Sequence, residues 1–594
     1  MCGICGEYRF DGSLPQLESV QKMMEQLEKR GPDHAGTFSD HSMAFGHRRL
    51  AIIDLSEKSH QPMIDRSTSL ALVFNGTIYN HPELRKQLQA KGHTFVSTGD
   101  TEVILKAYAQ WGEDCVKHFL GMFAIAIWDM QKKTLFLARD RMGIKPLYYS
   151  WTTQGFRFAS TTQALLATAT NDSPINTAID AAALHNLFTL HAVVPAPRTI
   201  LQGVRKLEPG HSLLIQANGE HQLSRYWTLE AKRPEKDLSE DEWIETIHEH
   251  LKTAVRRRNQ IADVPVGVLL SGGLDSSLLV GLLDEIGIED IRTFTIGFDD
   301  QPEEKGSEYE FSDAVVERFA TRHYKVHIPN EHTLQRLPEA VMNMSEPMFG
   351  QDAIGFYLLS EQVSKHVKVV QSGQGADEVF GGYFWYSLMQ EAKGSALERF
   401  SPYYFDRDHH EMAQMLNPAY IERDFTAEYM KELLETPHAD NFIDAVLRAD
   451  TTMLIVDDPV KRVDNMTMAW GLEARVPFLD HELVELAASM PIEMKLRDGG
   501  KYVLKKIARN MIPDSVIDRP KGYFPVPALK FVRGEFLDFM QDILNSQQCK
   551  ERGIYQRSYI NKLLKKPEAY LTRIKGSKLW HMALMEYWLQ LNKL

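Results

Sequence analysis

Hydrophobic positions follow two different rhythms along this chain. In the first part, short apolar stretches recur between turn residues. Met122–Trp128, Thr134–Ala138 and Phe156–Ala159 have strand length and predict a mainly antiparallel layer. Val194–Pro197 and Leu207–Gly210 carry the proline and glycine signals of late loops in this region. The charged, proline-containing stretch Lys232–Glu240 reads as a linker into a helix at Trp243–Arg257, placing a boundary near residue 230. Beyond it the rhythm changes. Val264–Leu270 is an apolar run of strand length, Leu278–Leu283 begins a helix, and Thr293–Phe298 and Val367–Val370 read as further strands. Strand–helix alternation to about residue 380 predicts a parallel α/β core, and residues 384–594 read as mostly helical. Two domains are expected, 1–228 and 229–594, with no internal repeat.

Composition narrows the function classes. A chain of 594 residues can bury two sizeable cores. Its formal charge of −13 argues against a nucleic-acid partner. The tightest basic cluster, Arg256-Arg257-Arg258, reads as a solvated helix face. The four cysteines, at positions 2, 5, 115 and 549, show neither metal spacing nor a disulfide framework, which suits a reducing compartment. There is no secretory h-region and no apolar run of transmembrane length, so the expectation is a cytoplasmic protein without a membrane partner. Oligomeric state is left open, a homo-oligomer included.

Cys2 is the first residue with chemistry to offer. If Met1 is trimmed, the thiol shares a residue with a free α-amine that titrates at about 7.7–8.0 and can serve as its base. A second-position cysteine can equally be incidental, so the downstream residues matter. Gly46–Asp54 contains Arg49 and Leu50, Phe74–Asn80 contains Asn75 and Gly76, and Ser97–Glu102 contains Asp100. Asn75 and Gly76 offer N–H donors to a tetrahedral oxyanion. Arg49 suits a carboxylate and Asp100 an α-ammonium. Together they describe an amino acid with a side-chain carboxamide, namely glutamine. This half resembles the class II, N-terminal-nucleophile glutamine amidotransferase domain of the asparagine synthetase family. The resemblance implies an αββα sandwich of antiparallel sheets, Cys2 as nucleophile, Asn75 and Gly76 as catalytic donors, and Arg49, Leu50, Asn75, Gly76 and Asp100 as the glutamine site. One position departs from that pattern: Thr77 stands where the family usually has glutamate.

Ser271-Gly272-Gly273-Leu274-Asp275-Ser276-Ser277 follows the 264–270 run directly. Strand, glycine-rich turn and helix aim backbone N–H groups at phosphate. No Walker lysine follows. The run resembles the PP-loop of ATP pyrophosphatases, which cleave ATP between its α- and β-phosphates. Ser372–Glu378 ends a second strand in a glycine-rich turn with an acid pair. Asp275 and Asp377 thus lie at comparable strand ends, where a hard Mg²⁺ would find carboxylate ligands. The resemblance implies ATP as substrate at Leu270, Ser271, Gly272, Gly273, Asp275, Ser276, Ile296, Ser372 and Gly373, with Lys521 as a catalytic lysine beside the acyl-adenylate. Arg139–Tyr148 and Glu473–Asp480 also resemble the asparagine synthetase family. Glu473 and Arg475 read either as a structural ion pair at a helix end or as part of the synthetase site.

Jointly these features imply a glutamine- and ATP-dependent amide ligase. The acceptor is less plain. Asparagine synthetases usually carry a glutamate where this chain has Gln374. A neutral amide suits a substrate lacking a free α-ammonium. Asp457–Met466, the stretch 521–527 and Ile574–Trp580 resemble the branch of the family that amidates N-acetylglutaminylglutamine, a bacterial osmolyte precursor. That acceptor is expected first, with Gln374 in its site, and aspartate second. A PP-loop enzyme of tRNA would need basic surface, and a catalytically dead descendant would not be expected to keep both Cys2 and Asp275.

Overall fold

The apolar stretches of the first part are continuous rather than alternating because both faces of their strands are covered. The computed structural model describes residues 2–170, 173–236, 238–300, 305–519 and 532–594. Its first strands are β1 (Cys2–Arg9), β2 (His34–Asp40), β3 (Met43–Arg49), β4 (Met63–Asp65), β5 (Leu70–Ile78), β6 (Gly121–Asp129) and β7 (Thr134–Arg139). They continue with β8 (Tyr148–Thr152), β9 (Gly155–Ala159), β10 (Arg205–Lys206), β11 (His211–Ile215) and β12 (His221–Arg225). They form two six-stranded sheets, ordered β10-β8-β9-β1-β3-β2 and β12-β11-β7-β6-β5-β4. Alternate residues of each strand serve two cores, as the two-residue strand period requires. On β6, Ala124, Ala126 and Trp128 meet Ile4, Tyr8 and Phe45 between the sheets. Phe123, Ile125 and Ile127 of the same strand face Leu84, Val103 and Leu105 of the helices His81–Ala90 and Asp100–Trp111. The other sheet buries Cys5, Ala44 and Ala159 against Val20, Met23 and Met24 of the helix Leu17–Gln26. Helix, sheet, sheet, helix is the expected sandwich, with two antiparallel layers.

The second sheet system is parallel. It comprises β13 (Val266–Leu269), β14 (Arg292–Phe298), β15 (Arg322–Ile328), β16 (Val369–Gln371) and β17 (Glu473–Arg475). All four pairings are parallel, in the order β15-β14-β13-β16-β17. The strand order reverses between β13 and β16, which makes their carboxyl ends a topological switch point, the place where such sheets hold ligands. Helices dominate the C-terminal part, as expected, and include a wide-turned π-helical stretch at Asp450–Leu454 and Val456–Val460.

Three local expectations change. Glu473 and Arg475 form not a helix end but the edge strand β17, whose three residues pair with Val369–Gln371; three residues are too few to show a period. The helix expected at Trp243–Arg257 runs from Glu240 to Gln260, because Ser239 and Glu242 form a reciprocal capping box one turn before the first apolar residue. The arginine cluster is not a solvated face. Arg258 is buried, pairs with Asp480 at 2.8 Å and lies over the Tyr79 ring, while half-buried Arg257 pairs with Glu482.

Buried charges stitch the sandwich to the helical part. Asp464 accepts from Arg30 at 2.9 Å and lies 3.4 Å from Lys145 Nζ, and all three are buried. Lys206 on β10 reaches Asp457 at 2.6 Å and Glu346 at 3.0 Å, with Lys461 3.5 Å from the same Glu346 oxygen. Removing one member of such a set leaves a buried charge uncompensated. Asp464→Asn should therefore cost roughly 3–5 kcal/mol, read as a lowered urea midpoint. An Asp464→Asn chain as stable as the parent would show that the seam does not depend on this carboxylate.

Candidate functional site

Cys2 begins β1 and lies in register with Arg49 on β3. Its backbone nitrogen donates to Asn75 Oδ1 at 2.9 Å, which fixes the amide of Asn75 with its other end turned away. That other end, Nδ2, is buried without a partner. A buried donor left unpaired is costly unless a ligand uses it, and a developing oxyanion is such a ligand. Beside it, a Cβ on Gly76 would lie 2.1 Å from the Met122 carbonyl oxygen, so only glycine permits this crossing of β5 over β6. Cys2, Arg49, Leu50, Gly76, Thr77 and Asp100 line one small cavity of about 30 Å³.

The electrostatics of this cavity are set by burial. Desolvation raises the Cys2 thiol pKa above its ordinary value, although the N-terminal charge, the Leu50 backbone and Arg49 pull the other way. Burial likewise raises the Asp100 carboxyl, which accepts the Ile78 N–H at 3.0 Å from the first turn of its helix. Arg49 donates to the carbonyl oxygens of Ser56 at 2.9 Å and of Ile53 and Asp54, so it also holds the loop that walls the cavity. These bonds use three of the five N–H donors a guanidinium carries.

Thr77 lines this cavity and touches the far side of the seam. Its hydroxyl donates to Glu473 Oε1 at 3.3 Å, and Glu473 in turn pairs with Arg475 at 2.5 Å. Burial raises the Glu473 pKa, but Arg475, the N-terminal charge and Lys145 outweigh it and hold the carboxyl at about 2. A carboxylate from β17 thus stands against the threonine at position 77. The ion pair stands between the two expected sites, a placement that neither expectation for it had foreseen.

The second cluster sits at the switch point. Gly272 has φ +76, and a Cβ there would lie 2.7 Å from the Ser312 nitrogen. That left-handed residue turns the chain from β13 into the helix Leu274–Glu285. Ser271 and Ser276 bond each other at 3.1 Å across the turn. Asp275 follows β13 and Asp377 follows β16, and both reach one ammonium: Lys501 Nζ lies 2.6 Å from Asp275 and 2.8 Å from Asp377. Burial would lower the Lys501 pKa, but the two aspartates raise it well above its ordinary value. Because both carboxylates converge on one cation, the pair also fits a hard divalent ion such as Mg²⁺.

A cavity of about 760 Å³ opens over this cluster, lined by Ser271, Gly273, Asp275 and Asp377 together with Lys501, Lys505, Lys506, Arg509 and Arg519. Glu308, Asp498 and Asp518 line it as well, so the wall is mixed: Arg519 pairs with Glu308 and Arg509 with Asp518, as Lys501 does with Asp275 and Asp377. A second cavity of about 160 Å³ shares Ser271, Asp275 and Asp377 and extends to Leu270, Ser276, Ile296, Ser372, Gly373 and Gln374. Asp352, Glu378 and Tyr383 also line it. Gly272 stands in the turn just described, so the residues expected around ATP lie together, except Lys521, which lies outside the described residues. Lys501 and its basic neighbours were not anticipated. Their one sequence signal is the glycine pair Gly499-Gly500 ahead of a lysine at the start of a helix.

The raised thiol pKa has a direct consequence. At neutral pH Cys2 should carry less thiolate than free cysteine, and its alkylation by iodoacetamide, followed by mass spectrometry, should keep accelerating as pH passes the ordinary thiol range. A rate already level at pH 7 would contradict the burial argument.

Comparison with known proteins finds a family model for each half of the chain. The glutamine amidotransferase domain model matches residues 1–227, and the asparagine synthase model matches residues 246–590. The glutamine-hydrolysing asparagine synthetase 3 of Bacillus subtilis strain 168 is 32% identical, across 88% of this chain and 87% of that one. Synthetase 1 of the same organism is 32% identical, across 100% of this chain and 97% of its own. The amidase chyE of Penicillium rubens is 27% identical, across 90% of this chain and 89% of its own. A parallel-sheet half matched as asparagine synthase, following a sandwich matched as glutamine amidotransferase, makes this chain a member of the asparagine synthetase family, a glutamine-hydrolysing, ATP-dependent amide ligase.

Proposed function

We propose that the chain amidates the carboxylate of an N-acylated glutamine dipeptide, N-acetylglutaminylglutamine, using ammonia from glutamine. The observation that carries this reading is Gln374. It lines the cavity shared with Asp275 and Ser276, at the position where asparagine synthetases usually present a glutamate. A substrate without a free α-ammonium needs no anion there, and a charged amine beside a neutral amide would lose both hydration and counter-ion.

In this reading Cys2 attacks the glutamine carboxamide, its proton passing to the α-amine exposed by removal of Met1. The unpaired Asn75 Nδ2 and the Gly76 N–H take the oxyanion, while Arg49 and Asp100 hold the amino-acid end. Ammonia leaves and a glutamyl thioester remains for water to hydrolyse. In the second half the acceptor carboxylate attacks the α-phosphate of ATP, forming an acyl-adenylate and releasing pyrophosphate. The polyphosphate would lie among Lys501, Lys505, Lys506, Arg509 and Arg519, displacing Lys501, Arg509 and Arg519 from the carboxylates they now face. Asp275 and Asp377 would hold Mg²⁺, which supplies further neutralisation of pyrophosphate oxygens. Lys521 is assigned to the acyl-adenylate by family resemblance alone. The division at 228/229 is proposed on the same footing, supported by the spans of the two matching family models. No helix among the described residues is long and apolar enough to cross a membrane.

Aspartate is the second reading. The named relatives that are asparagine synthetases favour it, as do the Asp352 and Glu378 carboxylates in the same cavity. Steady-state kinetics with the two acceptors decide between them. The dipeptide should be favoured at least about ten-fold in kcat/KM, and Gln374→Glu should move the preference toward free amino acids. Efficient asparagine formation without dipeptide turnover would establish the second reading instead. Two variants test the division of labour. Cys2→Ala should lose glutamine hydrolysis yet keep amidation from ammonium salts. Asp275→Asn should lose ATP–pyrophosphate exchange yet keep glutamine hydrolysis. Glutaminase activity near wild type in the first, or exchange near wild type in the second, would remove that residue from its role.

A further inference from the structure

Away from both substrate cavities, three side chains from three elements converge. His185 lies in the helix Ala181–Thr189, His409 opens the helix His409–Met415, and Asp424 caps the helix Phe425–Leu434. His185 Nε2 is 3.2 Å from His409 Nδ1 and 3.7 Å from Asp424 Oδ1. The three ligand atoms all lie within 4.8 Å of one another. Ligands bound tetrahedrally to zinc at 2.0–2.1 Å are separated from each other by about 3.4 Å. The two short separations bracket that value.

The surroundings of His185 fix which of its nitrogens faces the cluster with a lone pair. Thr426 Oγ1 donates to Asn186 Oδ1 at 2.8 Å, which leaves the hydroxyl oxygen to accept from His185 Nδ1 at 2.6 Å. Nδ1 therefore carries the proton, and Nε2 presents its lone pair to His409 and Asp424. A metal-binding histidine is oriented in this way, with its far N–H tied to an acceptor behind it. His409 and Asp424 are only half-buried, so a cation can reach the site from solvent. Two imidazole nitrogens and one carboxylate select zinc-like ions over Mg²⁺ or Ca²⁺.

We propose that His185, His409 and Asp424 bind Zn²⁺, with water as the fourth ligand. Bound there, the ion clamps the helix Ala181–Thr189 of the N-terminal part to two helices of the C-terminal part. The water leaves one coordination position open, and the site is separate from the one where Asp275 and Asp377 would hold Mg²⁺.

The test uses the full chain carrying Cys2→Ala, so that the active-site thiol cannot account for binding. After chelator stripping, calorimetric titration should show one equivalent of Zn²⁺ bound, with a raised Tm, and Co²⁺ should give the absorption bands of a tetrahedral ion. His409→Ala and Asp424→Asn, both at half-buried positions, should lose the site. Thr426→Val, which removes the acceptor behind His185 together with that hydroxyl's bond to Asn186, should weaken zinc binding by about 10–100-fold. Mg²⁺ and Ca²⁺ should leave the titration unchanged. Equal zinc stoichiometry and affinity in the parent and in His409→Ala would overturn the proposal. So would the absence of saturable binding to the parent, the cluster then being a histidine–histidine hydrogen bond beside a helix cap.

Discussion

The buried carboxylate of Asp464 is a constraint on how the two halves of this molecule sit together. It lies between Arg30 and Lys145, both contributed by the N-terminal part, and Arg30 Nε also approaches the Cys2 carbonyl oxygen at 3.4 Å. Taking three charges out of water is expensive, and well-packed apolar residues often stabilise such a place as well or better. What an ionic seam adds is discrimination among arrangements. A sliding apolar contact tolerates a small shift, whereas Asp464 displaced from its two cations is left buried and unpaired. For an enzyme that makes ammonia in one half and consumes it in the other, that intolerance is useful. Free ammonia is protonated in neutral water, so a shifting boundary between the halves would work against its transfer.

The second seam contact works at the glutamine cavity itself. Where asparagine synthetases usually carry a glutamate, this chain places threonine, and the adjacent negative charge belongs to Glu473 on β17. Glu473 lies in a stretch shared with the family, so the substitution leaves the neighbourhood one carboxylate fewer and gives the remaining one a hydroxyl donor. Arg475 anchors that carboxylate and is itself tied to the carbonyl oxygens of Arg258 and Ile261, each at 2.8 Å. Any movement of β17 relative to β5 therefore changes the field at the wall of the Cys2 cavity. Because β17 pairs with β16, whose end carries Ser372 and Gly373, the glutamine cavity and the switch point share one rigid strand pair.

Legibility in the sequence followed locality. The turn at 271–277 was readable because strand, glycine turn and helix are contiguous, so the chemistry and its geometry sit in one short window. Cys2, Asn75, Gly76 and Asp100 were readable as residue types that complement glutamine, though their convergence comes from strand pairing far apart in sequence. The capping box at Ser239 and Glu242 was equally local, but it begins a turn before the apolar rhythm from which the helix was read. What stayed hidden was non-local. Lys501 enters the site more than a hundred residues beyond Asp377, from a segment with no periodic signal. Glu473 and Arg475 lie in a three-residue strand whose only reason to exist is the edge of β16. Arg258 looked like solvated charge because nothing near it in sequence reveals Asp480 or Tyr79.

Lys501 also shows how the second site is held ready. Its backbone adopts φ +55, a left-handed conformation that a lysine takes only at a cost. Two neighbouring carboxylates offset that cost. Asp275 and Asp377 come from different strands, and without a cation between them their charges would repel at the carboxyl ends of β13 and β16. The ammonium draws them to a common point and is held there in return. The site thus carries an internal cation between the carboxyl ends of β13 and β16, on a residue whose backbone is left-handed. Preorganisation of this kind places the reorganisation cost in the folding of the protein rather than in the reaction. The glycines at 499 and 500 let the chain enter that conformation, and the helix Tyr502–Ala508 that follows carries Lys505 and Lys506 onto the same cavity wall.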